Sequence, residues 1–180
     1  MTSTLLALFD AEMTRTAAVL RALPDDGLDW APHPRSYSLG RLAMHVASLP
    51  GWMRAYTTRD DYDMGQGGAG PATPASVAEV LDAFAEAAMR GRAVLAACTD
   101  EQLRQPWTLR RDGAVVVGMT RGEAIATFAL QHLAHHRGQL TVYLRMLDRH
   151  VPPLYGDSAD ARLLSTAPPA TASTARPERA

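Results

Sequence analysis

Apolar residues return at helical spacing in four separate stretches of the chain. The first stripe runs Leu5, Leu8, Phe9, Met13, Thr16, Val19, Leu20 and Leu23, and it stops at Pro24, whose ring cannot continue a helix. The segment PDDGLDWAPHPRSYS follows, rich in proline and turn formers, and reads as a connection. A second stripe takes in Leu39, Leu42, His45, Val46, Leu49, Trp52, Met53 and Tyr56, with Ser36 or Ser38 placed to cap its start. Pro50 falls inside this stripe and predicts a kink or a break there. The glycine-rich DMGQGGAGPATP reads as a linker, because it lacks the strand, lysine and Ser/Thr placement of a phosphate-binding loop.

Thr73 and Pro74 predict the start of a third helix, with proline at its first position. Val77, Val80, Leu81, Phe84, Ala88, Arg92 and Leu95 mark its course to about Cys98. The pair Asp112-Gly113, flanked by Trp107–Leu109 and Ala114–Val117, predicts a β-hairpin. Thr120 and Glu123 have capping-box spacing and open a long fourth helix reaching about Asp148. Residues 156–180 end in STAPPATASTARPERA, a low-complexity composition that predicts a disordered tail. The expected fold is all-α: one domain over residues 1–155, a four-helix bundle with a small β-hairpin between helices three and four.

Composition narrows the function. Net charge is −1, which argues against nucleic acid as a partner, since a phosphate-binding surface needs a basic excess. No lysine occurs anywhere, so Schiff-base chemistry on a lysine is excluded. Cys98 is the sole cysteine, which rules out an intrachain disulfide; following AVLAA, it reads as a small buried hydrophobe. No charged leader precedes an apolar run and no apolar stretch is long enough to span a bilayer, so a cytoplasmic protein without membrane partners is expected.

The candidate chemistry lies in QHLAHHRGQL, residues 131–140, where three histidines fall within five positions. With about 100° of rotation per residue and His132 set at zero, His136 falls near +40°, Gln139 near −20° and Tyr143 near +20°. His135 falls near −60°, at the edge of the stripe, and Arg137, Thr141 and Arg145 fall opposite, where solvent is expected. On the second helix His45 sits between Leu42, Leu49 and Tyr56 and also faces inward. His45, His132 and His136 are therefore expected to converge as metal ligands, and three imidazoles leave a coordination position open. Gln139 and Tyr143 are candidates for contacting a ligand or orienting an imidazole. Glu12, which interrupts the stripe of the first helix, is a candidate for a supporting or base role. No residue is assigned as general base, and His33 and His150 are expected in solvent. The H-E-x-x-H protease motif is absent, because Leu133 and Ala134 occupy its inner positions.

HLAHHRGQLTVYLRMLDRHVPPLYG closely resembles the C-terminal signature of the DinB-like, damage-inducible bundle proteins, and SLGRLAMHVAS resembles their second-helix histidine segment. The resemblance covers the first helix through VPPLYG and omits the tail. It implies an up-down-down-up bundle, often a homodimer, with a divalent metal held by His45, His132 and His136. It also implies kinship with transferases and isomerases that use a low-molecular-weight thiol such as mycothiol, bacillithiol or glutathione. Expected functions are thus a metal-dependent thiol S-transferase or hydrolase acting on a small molecule, with zinc or nickel as cofactor. The alternatives are a non-catalytic stress-response or ligand-binding module with a structural or sensing metal, and a metal-free histidine cluster beside an apolar pocket.

Overall fold

The computed structural model describes residues 1–68 and 70–161. It is mostly helical with a small three-stranded sheet. Helix α1 spans Thr2–Arg21, α2 spans Leu39–Ser48 and α3 spans Met53–Thr58. Strand β1 is Asp61–Asp63, followed by α4 (Val77–Ala96) and the short α5 (Asp100–Arg104). Strands β2 (Pro106–Arg111) and β3 (Ala114–Thr120) precede a continuous rod made of α6 (Arg121–Ala124), a π-helical turn (Ile125–Gln131) and α7 (His132–Met146). Helix α1 packs on α4 and α7, and α2 packs on the same two, so the four longest helices enclose a common interior. Leu20, Leu39, Val46, Leu49, Val80, Leu133, Leu140 and Leu144 fill one region of it. Phe9, Met53, Leu95, Leu103, Trp107 and Ile125 fill another, toward the sheet.

The helix starts follow local chemistry. Ser38 caps α2 by accepting the amide of Arg41, and Thr120 with Glu123 forms a complete capping box at α6. The third predicted helix begins later than Thr73-Pro74 suggests: α4 starts at Val77, where the Ser76 side chain accepts the Glu79 amide. Pro50 ends α2 as expected, and a 3₁₀ turn over Leu49–Trp52 redirects the chain into α3. That turn presses against α4 at Gly91, where a Cβ would lie 2.2 Å from the Pro50 carbonyl oxygen. A glycine is required there by close approach of two backbones.

The hairpin forms at Asp112 and Gly113, both with positive φ (51° and 81°), as a primed turn demands. The expected two-stranded excursion is corrected to a three-stranded sheet, because β1 adds in parallel to β2 with Tyr62 opposite Leu109. Asp63 fixes that addition: its carboxylate accepts the amides of Gly65, Asp112 and Gly113 at 2.8–2.9 Å. The tail expected to be disordered lies, from residue 162 onward, outside the described residues. Residues 156–161 are placed, with Asp160 accepting from Arg145 (2.8 Å) and from the Val151 amide (2.7 Å).

A further expectation is overturned. Arg137, which the helical wheel puts in solvent, is 1% exposed. Its guanidinium lies 2.6 Å from Glu12 and donates to the Thr16 hydroxyl (3.0 Å), the Glu12 carbonyl (3.2 Å) and the Tyr155 hydroxyl. Glu12 also receives Arg15 (3.1 Å) and the Tyr155 hydroxyl (2.8 Å). The buried arc of α7 is therefore Leu133, Arg137, Leu140, Tyr143 and Leu144. It is rotated away from the arc centred on the histidines, because a buried partner on α1 makes an arginine a core residue.

Removing one member of a buried ion pair leaves the other charge uncompensated, so Arg137→Ala should cost about 3–5 kcal/mol in urea denaturation. Arg137→Met combined with Glu12→Leu should recover most of the loss; equal stability of Arg137→Ala and the parent would refute the pairing as an anchor. Gly91→Ala should cost about 1–3 kcal/mol in the same assay, through overpacking against Pro50.

Candidate metal centre

His45 is carried by α2, and His132 and His136 lie one turn apart at the start of α7. All three are half-buried, and each offers a ring nitrogen within 4.8 Å of the others. His45 has its ring centre 5.4 Å from that of His132 and 4.6 Å from that of His136. The Nε2 atoms of His132 and His136 face each other at 2.8 Å.

What aims those nitrogens is visible in the backbone. In a regular α-helix the His132 amide would bond the carbonyl four residues back, Phe128. In the π-helical turn it bonds Thr127 and Ala129 instead. The Phe128 carbonyl receives the Nδ1–H of the His132 ring (3.3 Å) and the Tyr56 hydroxyl (3.2 Å). A carbonyl only accepts, so His132 carries its proton on Nδ1 and leaves Nε2 bare. His136 repeats the arrangement with Gln139, whose Oε1 accepts from Nδ1 at 2.7 Å. Two lone pairs then face across 2.8 Å and need a proton or a cation between them. Turning over the Gln139 amide would let His136 Nε2 donate to His132 and would satisfy the pair without an ion, so the amide orientation is decisive.

Burial, followed by the nearby His136 and His132 rings, pushes the His45 pKa down to about 4. Burial likewise lowers His132 and His136 below the usual histidine value. All three are held neutral near pH 7, which is the ligating form. The rings of Trp52 (5.8 Å from His45 and from His132) and Tyr37 (6.3 Å from His45) wall the cluster edge-on. Nitrogens about 2 Å from one ion sit roughly 3.3 Å apart at tetrahedral angles, a spacing this cluster reaches with small adjustment. The donor set, three neutral imidazoles with two Nδ1 hydrogens tied back, fits a borderline divalent ion.

Of the supporting candidates, Gln139 is brought to the site through His136. Tyr143 bonds elsewhere: its hydroxyl donates to the Tyr37 carbonyl (3.2 Å) and its ring meets Trp30, so it steadies the loop that presents Tyr37. Glu12 is not a surface residue and does not join the histidines, since Arg137, Arg15 and Tyr155 engage its carboxylate. It acts on α7 through Arg137, the residue after His136. His135 is exposed with its ring 4.8 Å from that of His136. His33 and His150 are exposed, His33 in the loop before α2 and His150 at 3.7 Å from Asp160. Cys98 is partly buried, its thiol donates to the Val94 carbonyl, and burial raises its pKa, as suits an unreactive side chain. Sequence reasoning missed Trp52 and Tyr37 as walls. Trp52, seven residues or two turns after His45, was the available signal; Tyr37 lies in the loop before α2 and had none.

Comparison with known proteins agrees with this architecture. The chain is 26% identical over 159 residues to the uncharacterized protein YrdA of Bacillus subtilis (strain 168), covering 84% of this chain and 86% of that one. A DinB-like protein from Bacillus cereus ATCC 10987 superimposes with a TM-score of 0.66 at 23% identity, covering 84% of this chain and 95% of the other. The DinB-like protein YjoA of Bacillus subtilis gives a TM-score of 0.63 at 19% identity, covering 86% and 98%. At those identities the likeness speaks for the fold. The family profile of DinB matches residues 1–164, nearly the whole chain, and the protein belongs to the DinB family.

Proposed function

We propose that this protein is a metal-dependent enzyme that transfers a small thiol onto an electrophile, with zinc or nickel held by His45, His132 and His136. The observation that carries the reading is the convergence of three neutral imidazoles, two of them with Nδ1 hydrogens tied to acceptors. Bound there, the ion would lower the pKa of a thiol or water in its open position. Phe128 and Gln139 hold the two α7 imidazoles in the ligating tautomer. Trp52 and Tyr37 keep solvent from one side of His45, while the half-exposed side leaves room for a substrate.

Thiol is preferred to water on chemical grounds. Among the described residues no carboxylate joins the three histidines in a ligand group, so no acid stands ready as a base. A thiol ionises near pH 8.5 unaided, whereas water needs far more help. Hydrolysis is the variant of the same reading in which water takes the thiol's place. The missing base also favours a second reading, a non-catalytic stress-response or ligand-binding module whose metal serves structure or sensing. We further read the four longest helices as an up-down-down-up bundle that works as a homodimer in the cytoplasm on a small-molecule substrate. No helix among the described residues is long and apolar enough to cross a membrane.

Purified protein should contain about one divalent ion per chain by elemental analysis. Each of His45→Ala, His132→Ala and His136→Ala should weaken metal binding about tenfold or more while the circular dichroism of the helices persists. Thiol-dependent turnover of an electrophile panel should disappear with the metal. Full metal content in the three variants would remove the assignment, and unfolding on chelation would favour the structural reading.

The metal-free protein should be pH-sensitive in a defined window. The folded state keeps His45 near pKa 4 whereas the unfolded chain titrates it near 6.5, so between these values the unfolded state binds more protons. Stability is full above about pH 6.5 and falls as pH drops toward 4. His45→Asn should flatten this dependence in urea midpoints measured between about pH 7.5 and about pH 4.5, and an unchanged profile would contradict the assigned burial effect.

A further inference from the structure

Trp52 belongs to two places at once. Its ring meets His45 and His132, and it also lines a cleft of about 560 Å³ along α3 and the start of β1. That volume lies in the range of small-molecule sites. The side chains around it include Trp52, Arg54, Tyr56, Thr58, Arg59 and Tyr62. The lining therefore holds two guanidinium groups and no carboxylate.

The arginines of this cleft, like Arg21, Arg35, Arg104 and Arg111, are among those the described residues do not engage in ion pairs; what sets them apart is that two of them share one cleft. Arg90, Arg92 and Arg149 are on the surface too, yet each pairs with an acid. Neither the Arg54 nor the Arg59 side chain has a hydrogen bond or ion pair among the described residues. The acids nearest in sequence are committed: Asp60 to Arg121 (2.6 Å), Asp61 to Arg110 (2.9 Å), and Asp63 to the three amides of the hairpin and its neighbour. The Tyr56 hydroxyl is likewise spent on Phe128, so that residue offers the cleft only ring surface. Arg59 also borders a smaller pocket that holds Asp61 and Asp63, but within the cleft two guanidinium groups without an ion pair stand beside Trp52 and Tyr62, and such a surface has a definite preference. It repels cations, gains little from neutral polar molecules, and matches an anion attached to a flat apolar body.

We infer that the cleft binds a small organic anion, with a carboxylate or phosphate gripped by Arg54 and Arg59 and a planar portion laid against Trp52 and Tyr62. Trp52 stands between this occupant and His45 and His132, and no histidine lines the cleft, so the bound anion is a neighbour of the histidine centre and not the molecule that would reach its open position. The inference goes beyond the proposed function: it assigns a second ligand site on the far side of Trp52, for a molecule that is aromatic or otherwise planar and negatively charged.

The test uses isothermal titration calorimetry on the full chain with naphthalene carboxylate and naphthyl phosphate as probes and naphthalene methanol as the uncharged control. At least one anion should bind with one-to-one stoichiometry, and the alcohol should bind about tenfold more weakly or worse, the loss expected when a charge-assisted hydrogen bond is absent. The stronger of the two anions identifies the head group. Arg54→Gln combined with Arg59→Gln should cut affinity about tenfold or more, whereas Arg111→Gln, an exposed arginine of β2 outside the cleft, should leave it unchanged. Both cleft arginines are exposed, so the double variant should retain its helical dichroism. Equal binding of alcohol and anions, no binding of either anion, or full affinity in the double variant would each overturn the inference. The same titration on His45→Ala separates the two ideas: retained anion binding with lost metal supports the cleft by itself. Intact metal in the parent protein with no anion binding sinks the cleft and leaves the metal reading standing.

Discussion

His132 and His136 face each other Nε2 to Nε2 at 2.8 Å, a contact that requires a shared proton or an ion between them, and the arrangement around the two rings has to hold it. Several unrelated devices contribute. The π-helical turn re-routes the His132 amide so that the Phe128 carbonyl is positioned for the ring rather than for the helix. The Gln139 side chain does the same service one turn later. On the opposite side of α7, the Arg137–Glu12 pair prevents the helix from rolling the histidines outward, because any rotation would pull opposite charges apart in a dry environment. The break at Pro50, admitted by Gly91, carries Trp52 to the cluster's flank. A positive ion at the focus would draw both nitrogens, and each device would then act as an orienting contact.

How far the sequence announces this arrangement depends on how local each cause is. Ser38, the Thr120–Glu123 box and Asp112-Gly113 work within a few residues of themselves, so their elements are legible directly from the chain. The inward histidines are legible as well, since a fixed rotation per residue suffices to put His132 and His136 on one side. Arg137 is not. Its burial depends on Glu12 and Tyr155, supplied by the first helix and by the segment after α7, and a single helical wheel contains neither. A wheel centred on the histidines misplaces the buried face, whose centre is marked by Leu133, Leu140 and Leu144. Strand β1 is hidden for a related reason: three residues, Asp-Tyr-Asp, are too short a run to announce a strand, and the hairpin amides that Asp63 collects help give them a place in a sheet. The π turn has no sequence pattern comparable to a cap.

Two groups among the arginines have different physical roles. Those at 92, 110, 121, 137, 145 and 149 lock elements or segments together through carboxylates, and with no lysine in the chain every such contact has a planar, multi-donor head. Arg54 and Arg59 take no part in this lattice. Their position beside Trp52 places unspent positive charge next to an otherwise neutral trio of imidazoles, so the electrostatic character of the neighbourhood is set by residues outside the trio.

The three imidazoles come from distant stretches of the chain, one before the sheet is made and two after it. Anything that grips all three is consequently a staple as well as a reagent, closing a loop that runs through α3, α4 and the whole hairpin. The entropy removed from the unfolded chain by such a closure grows only slowly with loop length, yet a long loop gives the largest gain. Occupancy would therefore harden the seam between α2 and α7 more than any other region of the molecule, and slow exchange of amide hydrogens along that seam would register it even where the helices themselves look unchanged.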